Sequence, residues 1–81
     1  MILVDVQIPS LDKVYDFELD EEMKAGELTQ KIAQMAAQKE GLVYEPEDKL
    51  YLYALRREEV LDERKTLRQQ EIGAGERLIL I

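Results

Sequence analysis

The chain begins with a strict alternation. Ile2, Val4, Val6 and Ile8 fall on one side of an extended backbone, with Leu3, Asp5 and Gln7 between them. A period of two in β-branched residues predicts a strand with one buried face. Pro9 to Lys13 predicts a turn, because proline has no N–H for a ladder and Ser10 and Asp12 bond readily to local backbone. Alternation resumes over Val14 to Leu19, where Tyr15, Phe17 and Leu19 oppose Asp16 and Glu18, so the two runs predict an antiparallel hairpin. From Ala25 to Glu40 the period lengthens. Ala25, Leu28, Ile32, Met35, Ala36 and Lys39 recur at steps of three and four, with Gln30, Lys31, Gln34 and Gln38 opposite. That spacing predicts an amphipathic helix. Gly41 ends it, since a left-handed C′ residue is cheapest without a Cβ, and Leu42 supplies the accompanying apolar contact. Asp20 is the best N-cap by side-chain type, but a start there would put Gly26 well inside the helix, at a cost of about 1 kcal/mol relative to Ala. A start near Lys24 or Ala25 is preferred, with Met23 packed back on Leu28 as a staple.

Glu45 to Asp48 is expected to be a loop, Leu50 to Leu55 a third strand and Arg56 to Glu59 a charged turn. Val60-Leu61 is expected as a very short fourth strand, Lys65 to Ile72 as irregular chain or one helical turn, Gly73 to Glu76 as a turn and Arg77 to Ile81 as the last strand. The order β-β-α-β-β-β has no repeat or linker and makes one domain over residues 1–81. A hairpin, one long helix and three further strands suggest an α+β domain with the helix on one face of a mixed sheet. The first and last strands are expected to lie parallel at its centre. That is the β-grasp architecture.

Composition narrows the function. Eleven Lys and Arg against eighteen Asp and Glu leave a net charge of −7, which opposes phosphate-backbone binding and attraction to an anionic membrane surface. With no Cys there is no disulfide, thiolate-held zinc or iron–sulfur cluster, and with no His the commonest general base and metal ligand is missing. The expectation is a non-catalytic cytoplasmic domain without cofactor or metal. No apolar run approaches the ~20 residues of a membrane span, and no signal peptide is expected ahead of Ile2. The acidic groups Asp20-Glu21-Glu22 and Glu45, Glu47 and Asp48 have no accompanying nucleophile or EF-hand spacing and read as solvated surface. Gly73-Ala74-Gly75 precedes a strand instead of opening a helix, so it reads as a turn and not a phosphate loop. Arg56, Arg57, Arg64, Lys65 and Arg68 are interleaved with Glu58, Glu59, Asp62 and Glu63, so no basic field for nucleic acid builds up.

The second half of the chain resembles ubiquitin. Val60-Leu61-Asp62, then Lys65-Thr66-Leu67, Ile72 and Leu78-Ile79-Leu80 follow the spacing of its short strand, threonine–leucine turn and last strand. Leu28 and Ile32, with the ending Lys39-Glu40-Gly41, resemble its helix. Ubiquitin and the β-grasp sulfur carriers continue into a thin Gly-Gly tail whose carboxylate is activated. Here Leu78-Ile79-Leu80-Ile81 stands within the expected strand, so conjugation is not expected. The alternative is a modifier or sulfur carrier whose tail is missing from these residues. Leu67, Ile72, Gly75, Glu76 and Leu78 also resemble the ending of the YukD/EsaB-like family of ubiquitin-like accessory proteins of bacterial type VII secretion, with Glu76 where Asp is more usual. The resemblance implies a protein-interaction module serving that machinery.

Strand parity points to a surface. If Leu50, Leu52 and Ala54 face the helix, Tyr51 and Tyr53 face away, and inward Leu78 and Leu80 put Ile79 and Ile81 outward beside them. Leu11, at the tip of the first hairpin, is expected to reach the edge of the same face. Ubiquitin binds most of its partners with an apolar residue on each of these three elements. Leu11, Tyr51, Tyr53, Ile79 and Ile81 are therefore the expected protein-binding residues, for a secretion-system partner or a two-fold-related second copy. The core is expected to set Leu28, Ile32 and Met35 against Val4, Val6, Phe17, Leu52, Leu61, Leu67, Leu78 and Leu80.

Overall fold

A computed structural model describes residues 1–45 and 49–81. Of the expected loop Glu45 to Asp48, residues 46–48 lie outside the described residues. Strand β1 (Ile2–Ile8) runs through a 3-10 turn at Pro9–Leu11 into β2 (Lys13–Leu19), and the two pair antiparallel from Ile2–Leu19 to Ile8–Lys13. Asp12 closes the turn in the left-handed region at φ 53°, a conformation that Asp tolerates better than most residues. Helix α1 (Ala25–Lys39) follows, then β3 (Leu52–Ala54), β4 (Glu59–Val60) and β5 (Arg77–Leu80). The sheet order is β2-β1-β5-β3-β4, with β1 and β5 parallel at the centre. This is the β-grasp architecture expected from the element order.

Several boundaries differ from the sequence expectation. Strand β2 begins at Lys13 instead of Val14, α1 ends at Lys39 instead of Glu40 and β5 ends at Leu80 instead of Ile81, and β3 and β4 shift as well. Strand β3 is Leu52–Ala54, shorter than Leu50 to Leu55, although Tyr51 and Ile81 still exchange backbone hydrogen bonds at 2.7 and 2.9 Å. Strand β4 is Glu59–Val60, one residue earlier than Val60-Leu61. Glu58 takes a positive φ of 53° and turns the chain before β4, and the Leu61 N–H then bonds the Leu52 carbonyl at 2.8 Å.

The helix start at Lys24 is held without a capping side chain. Instead the N–H groups of Ala25 and Gly26 donate to the carbonyls of Lys65 and Glu63, at 2.9 and 3.0 Å. A distant turn thus satisfies two of the orphan donors of the first turn. Gly26 is required by the closeness of that turn: a Cβ there would stand 3.2 Å from both Cβ and carbonyl O of Glu63. Asp20 caps only its own turn, accepting from the Glu22 N–H at 2.9 Å. At the other end Gly41 has φ +68°, with Gly41 N–H bonding the Gln38 carbonyl and Leu42 N–H the Ala37 carbonyl, the paired bonds of a Schellman ending. The segment after β4 is held by Thr66 and Gln69, whose side chains each accept from the other's backbone N–H. This capping box fixes one turn and buries Leu67 and Ile72.

The core lies between α1 and the inner sheet face. Leu28, Ile32, Val4, Val6, Phe17, Leu52, Leu61, Leu67, Leu78 and Leu80 are buried as expected. Met35 is not; it is 40% exposed. Thr29 and Ala33 take the expected place of Met35 in the buried stripe. Small Ala33 and Ala36 seat the C-terminal half of α1 against the sheet, and that rotation carries Met35 to the rim. Thr29 lies in the apolar stripe because its hydroxyl donates to the Ala25 carbonyl at 2.7 Å.

Candidate docking surface

Inward Leu52 and Ala54 in β3 force Tyr51 and Tyr53 to the outer sheet face, away from the helix. The register then joins positions from different strands. Tyr53 stands opposite Ile79 on one side and Val60 on the other, while Ile79 stands opposite Gln7, and Gln7 opposite Val14. A single row, Val14–Gln7–Ile79–Tyr53–Val60, therefore crosses every strand. Beside it, Tyr51 and Ile81 face one another through their paired backbone bonds. Tyr53 and Ile79 at the centre are half-buried by their neighbours, whereas Val60 and Ile81 are 49% and 50% exposed. Lys49 Nζ lies 5.4 Å from the Tyr51 ring centroid and pairs with Glu63 at 2.9 Å, so that end of the face carries a neutralised ion pair. The Glu63 carboxylate raises the Lys49 pKa above its usual value.

The face thus gathers Tyr51, Tyr53, Ile79 and Ile81 as the strand parity predicts. Leu11 is placed elsewhere. It packs against the core and lines a groove with Ala33, Ala36, Leu42 and Tyr44, on the helix side of the sheet. The 3-10 turn at Pro9–Leu11 rolls the hairpin tip inward, which a five-residue spacing does not reveal. Val60 and Val14 were missed as members of the row. Burial of Leu61 is the signal for Val60, because adjacent strand residues point to opposite faces.

The next row over is ionic. Asp5 and Asp16 stand opposite one another, and Arg77 stands opposite Asp5 and pairs with it at 3.5 Å. Asp16 shares a hydrogen bond with Asp5. That contact holds the Asp5 carboxyl below its usual range, with Arg77 assisting, and the same hydrogen bond, joined by the repulsion of the Asp5 charge, pushes Asp16 up. One arginine for two carboxylates leaves this end of the face acidic. Among the described residues no group of three or more acidic side chains is placed to hold a metal ion, and no helix is long and apolar enough to cross a membrane.

The chain is similar to ubiquitin-like domains of known structure. It covers 99% of its length on the EccD5 ubiquitin-like domain of Mycobacterium xenopi and 91% of that chain, at TM-score 0.77 and 17% identity. The ubiquitin of Caldiarchaeum subterraneum matches at TM-score 0.75 and 16% identity, over 99% of this chain and 90% of that one. A ubiquitin-like domain of an Arabidopsis thaliana protein matches at TM-score 0.72 and 22% identity, over 99% and 74%. No curated protein matches the sequence significantly. The model of protein YukD of the WXG100 protein secretion system matches residues 3–80. With its β-grasp sheet and that match, the chain belongs to the YukD family, the ubiquitin-like proteins of this secretion system.

Proposed function

We propose that this ubiquitin-like, secretion-associated module acts by docking and not by chemistry, as a non-conjugated cytoplasmic accessory of type VII secretion. Its Ile79–Tyr53–Val60 face receives a protein component of the machinery. The observation that carries the reading is the continuous outward row, set by strand register, with Tyr53 at its middle. Isolated apolar side chains on a surface need no function, whereas several on adjoining strands form a patch that favours a partner. Tyr53 is the anchor, since its ring offers large amphipathic area with few rotors to freeze. Rigidity supports the same reading: β3 and β5 are joined by direct ladder bonds, so the face needs little ordering on binding.

The test measures binding of purified cytoplasmic domains of the secretion machinery to wild type, Tyr53→Ala and Ile79→Asp, with melting temperatures on the same samples. Tyr53→Ala is expected to weaken binding about thirtyfold with the fold intact. Folded variants that bind like wild type overturn the reading. A concentration series in the ultracentrifuge shows whether the occupant is instead a second copy. Intact mass of protein recovered from cells is expected to show no adduct; an isopeptide-linked or thiocarboxylated form would replace docking by carriage.

A further inference from the structure

We propose that the outer edge of β2 is a second docking site, which takes up an extended segment of a partner with basic and apolar residues in alternation. Strand β2 ends the sheet and pairs with β1 alone among the described residues, so alternate residues along its seven present backbone donors and acceptors to an added strand. Below this edge, on the helix side, is a groove of about 480 Å³ lined by Phe17, Met35, Gln38, Lys39 and Asp16. Met35, left on the rim by the packing of α1, is the exposed apolar wall of that groove. Next to two of its lining residues stands Tyr15, whose ring meets Phe17 edge-on at 6.1 Å and carries Lys39 Nζ at 4.9 Å, and whose hydroxyl donates to Glu40. An apolar side chain on the inner face of an added strand fits between Phe17 and Met35.

Charge decides the occupant. On the outer face β2 shows Asp16 and Glu18, with Asp5 directly beside Asp16 and, among the described residues, Arg77 paired with Asp5. A second copy pairing antiparallel over the whole strand would set Asp16 against the copy's Asp16. Like charges directly opposite destabilise a sheet pair, so these acids turn the chain's own edge away. The same acids favour a strand that places Lys or Arg opposite them, which is selectivity by repulsion and attraction together. A basic, amphipathic strand thus satisfies edge, groove and outer face at once.

The probe is a synthetic peptide of about eight residues alternating lysine and valine, a typical strand length. Its controls are the glutamate–valine alternate and a block peptide with the lysines and valines segregated. Amide NMR on the full chain is expected to show shifts and slowed exchange over Lys13–Leu19, with shifts at the Met35 methyl, for the lysine–valine alternate only. Asp16→Lys with Glu18→Lys is expected to weaken the peptide about tenfold, and the uncharged Met35→Asn to weaken it without changing edge charge. Tyr53→Ala is expected to bind the peptide like wild type, which separates this site from the Tyr53 face. Equal binding of the block peptide, shifts confined to Tyr53 and Ile79, or indifference to the charge reversal would each overturn the proposal. So would a dimer through β2 in the peptide's absence.

Discussion

At the scale of the residue, burial and not residue type sets the cost of a change. Ile32 is fully buried at the middle of α1, so Ile32→Ala is expected to lose about 2–5 kcal/mol, read by denaturant unfolding. Met35 lies one turn along and is equally apolar, yet Met35→Ala is expected to lose less than about 1 kcal/mol because it is already wet. A Met35→Ala loss matching that of Ile32→Ala would put Met35 back in the core. Helical spacing alone cannot separate these two residues, since both satisfy a step of three or four. What separates them is the distance of each helix face from the sheet. The Asp5–Asp16 pair carries a pH signature of its own. The Asp16 pKa is raised in the fold, so its stabilising share is complete when it is protonated and is lost as pH rises through that raised value. Asp5, held low, behaves oppositely and loses its share only as pH falls through its lowered value. Asp16→Asn is therefore expected to raise the melting temperature at neutral pH and to change it little where wild-type Asp16 is protonated. A pH-independent effect of Asp16→Asn would show that the pair does not interact.

At the scale of the element, the helix depends on contacts that its own sequence does not contain. Its N-terminus has no capping side chain, and the carbonyls of Glu63 and Lys65 stand in for one. Gly26 looks like a defect by propensity, where Ala would gain about 1 kcal/mol. The close approach of Glu63 reverses that expectation. Gly26→Ala forces the turn away by a few tenths of an ångström and weakens both capping bonds. Overpacking of this kind costs about 1–3 kcal/mol, so the net effect is expected to be destabilisation by about 1 kcal/mol. Thermal unfolding of Gly26→Ala checks it, and a higher melting temperature would show that the turn yields without loss. The glycine that ends the helix is different: Gly41 has open space around it, and its left-handed φ alone explains it. One glycine was legible from the sequence because its cause is local. The other was legible only as an anomaly, since its cause lies about forty residues away.

At the scale of the whole molecule, one helix on a five-stranded sheet leaves the opposite sheet face uncovered. That face is divided into an apolar row through Tyr53 and Ile79 and an acidic row through Asp5 and Asp16, both crossing strands that are distant in sequence. With a net charge of −7, the molecule also repels itself and favours cationic partners. Added salt is expected to raise the melting temperature by screening that repulsion, and a fall with salt would mean that the ion pairs at Lys49–Glu63 and Arg77–Asp5 outweigh it.

Alternation, helical period and turn chemistry are properties of neighbouring residues, and they determined the element order and the inward parity of Leu52, Ala54, Leu78 and Leu80. Parity also placed Tyr51, Tyr53, Ile79 and Ile81 outward before any register was known. Only the tertiary structure decided what depends on two segments meeting. Among these are the roll of Leu11 into the helix side, the loss of Met35 from the core, and the Glu63 turn that Gly26 accommodates. The joining of Val14, Ile79, Tyr53 and Val60 into one row belongs with them. The physical reason is range. Side-chain direction along a strand is set by the backbone of adjacent residues, whereas register, groove and close approach are set by whichever distant segment packs alongside.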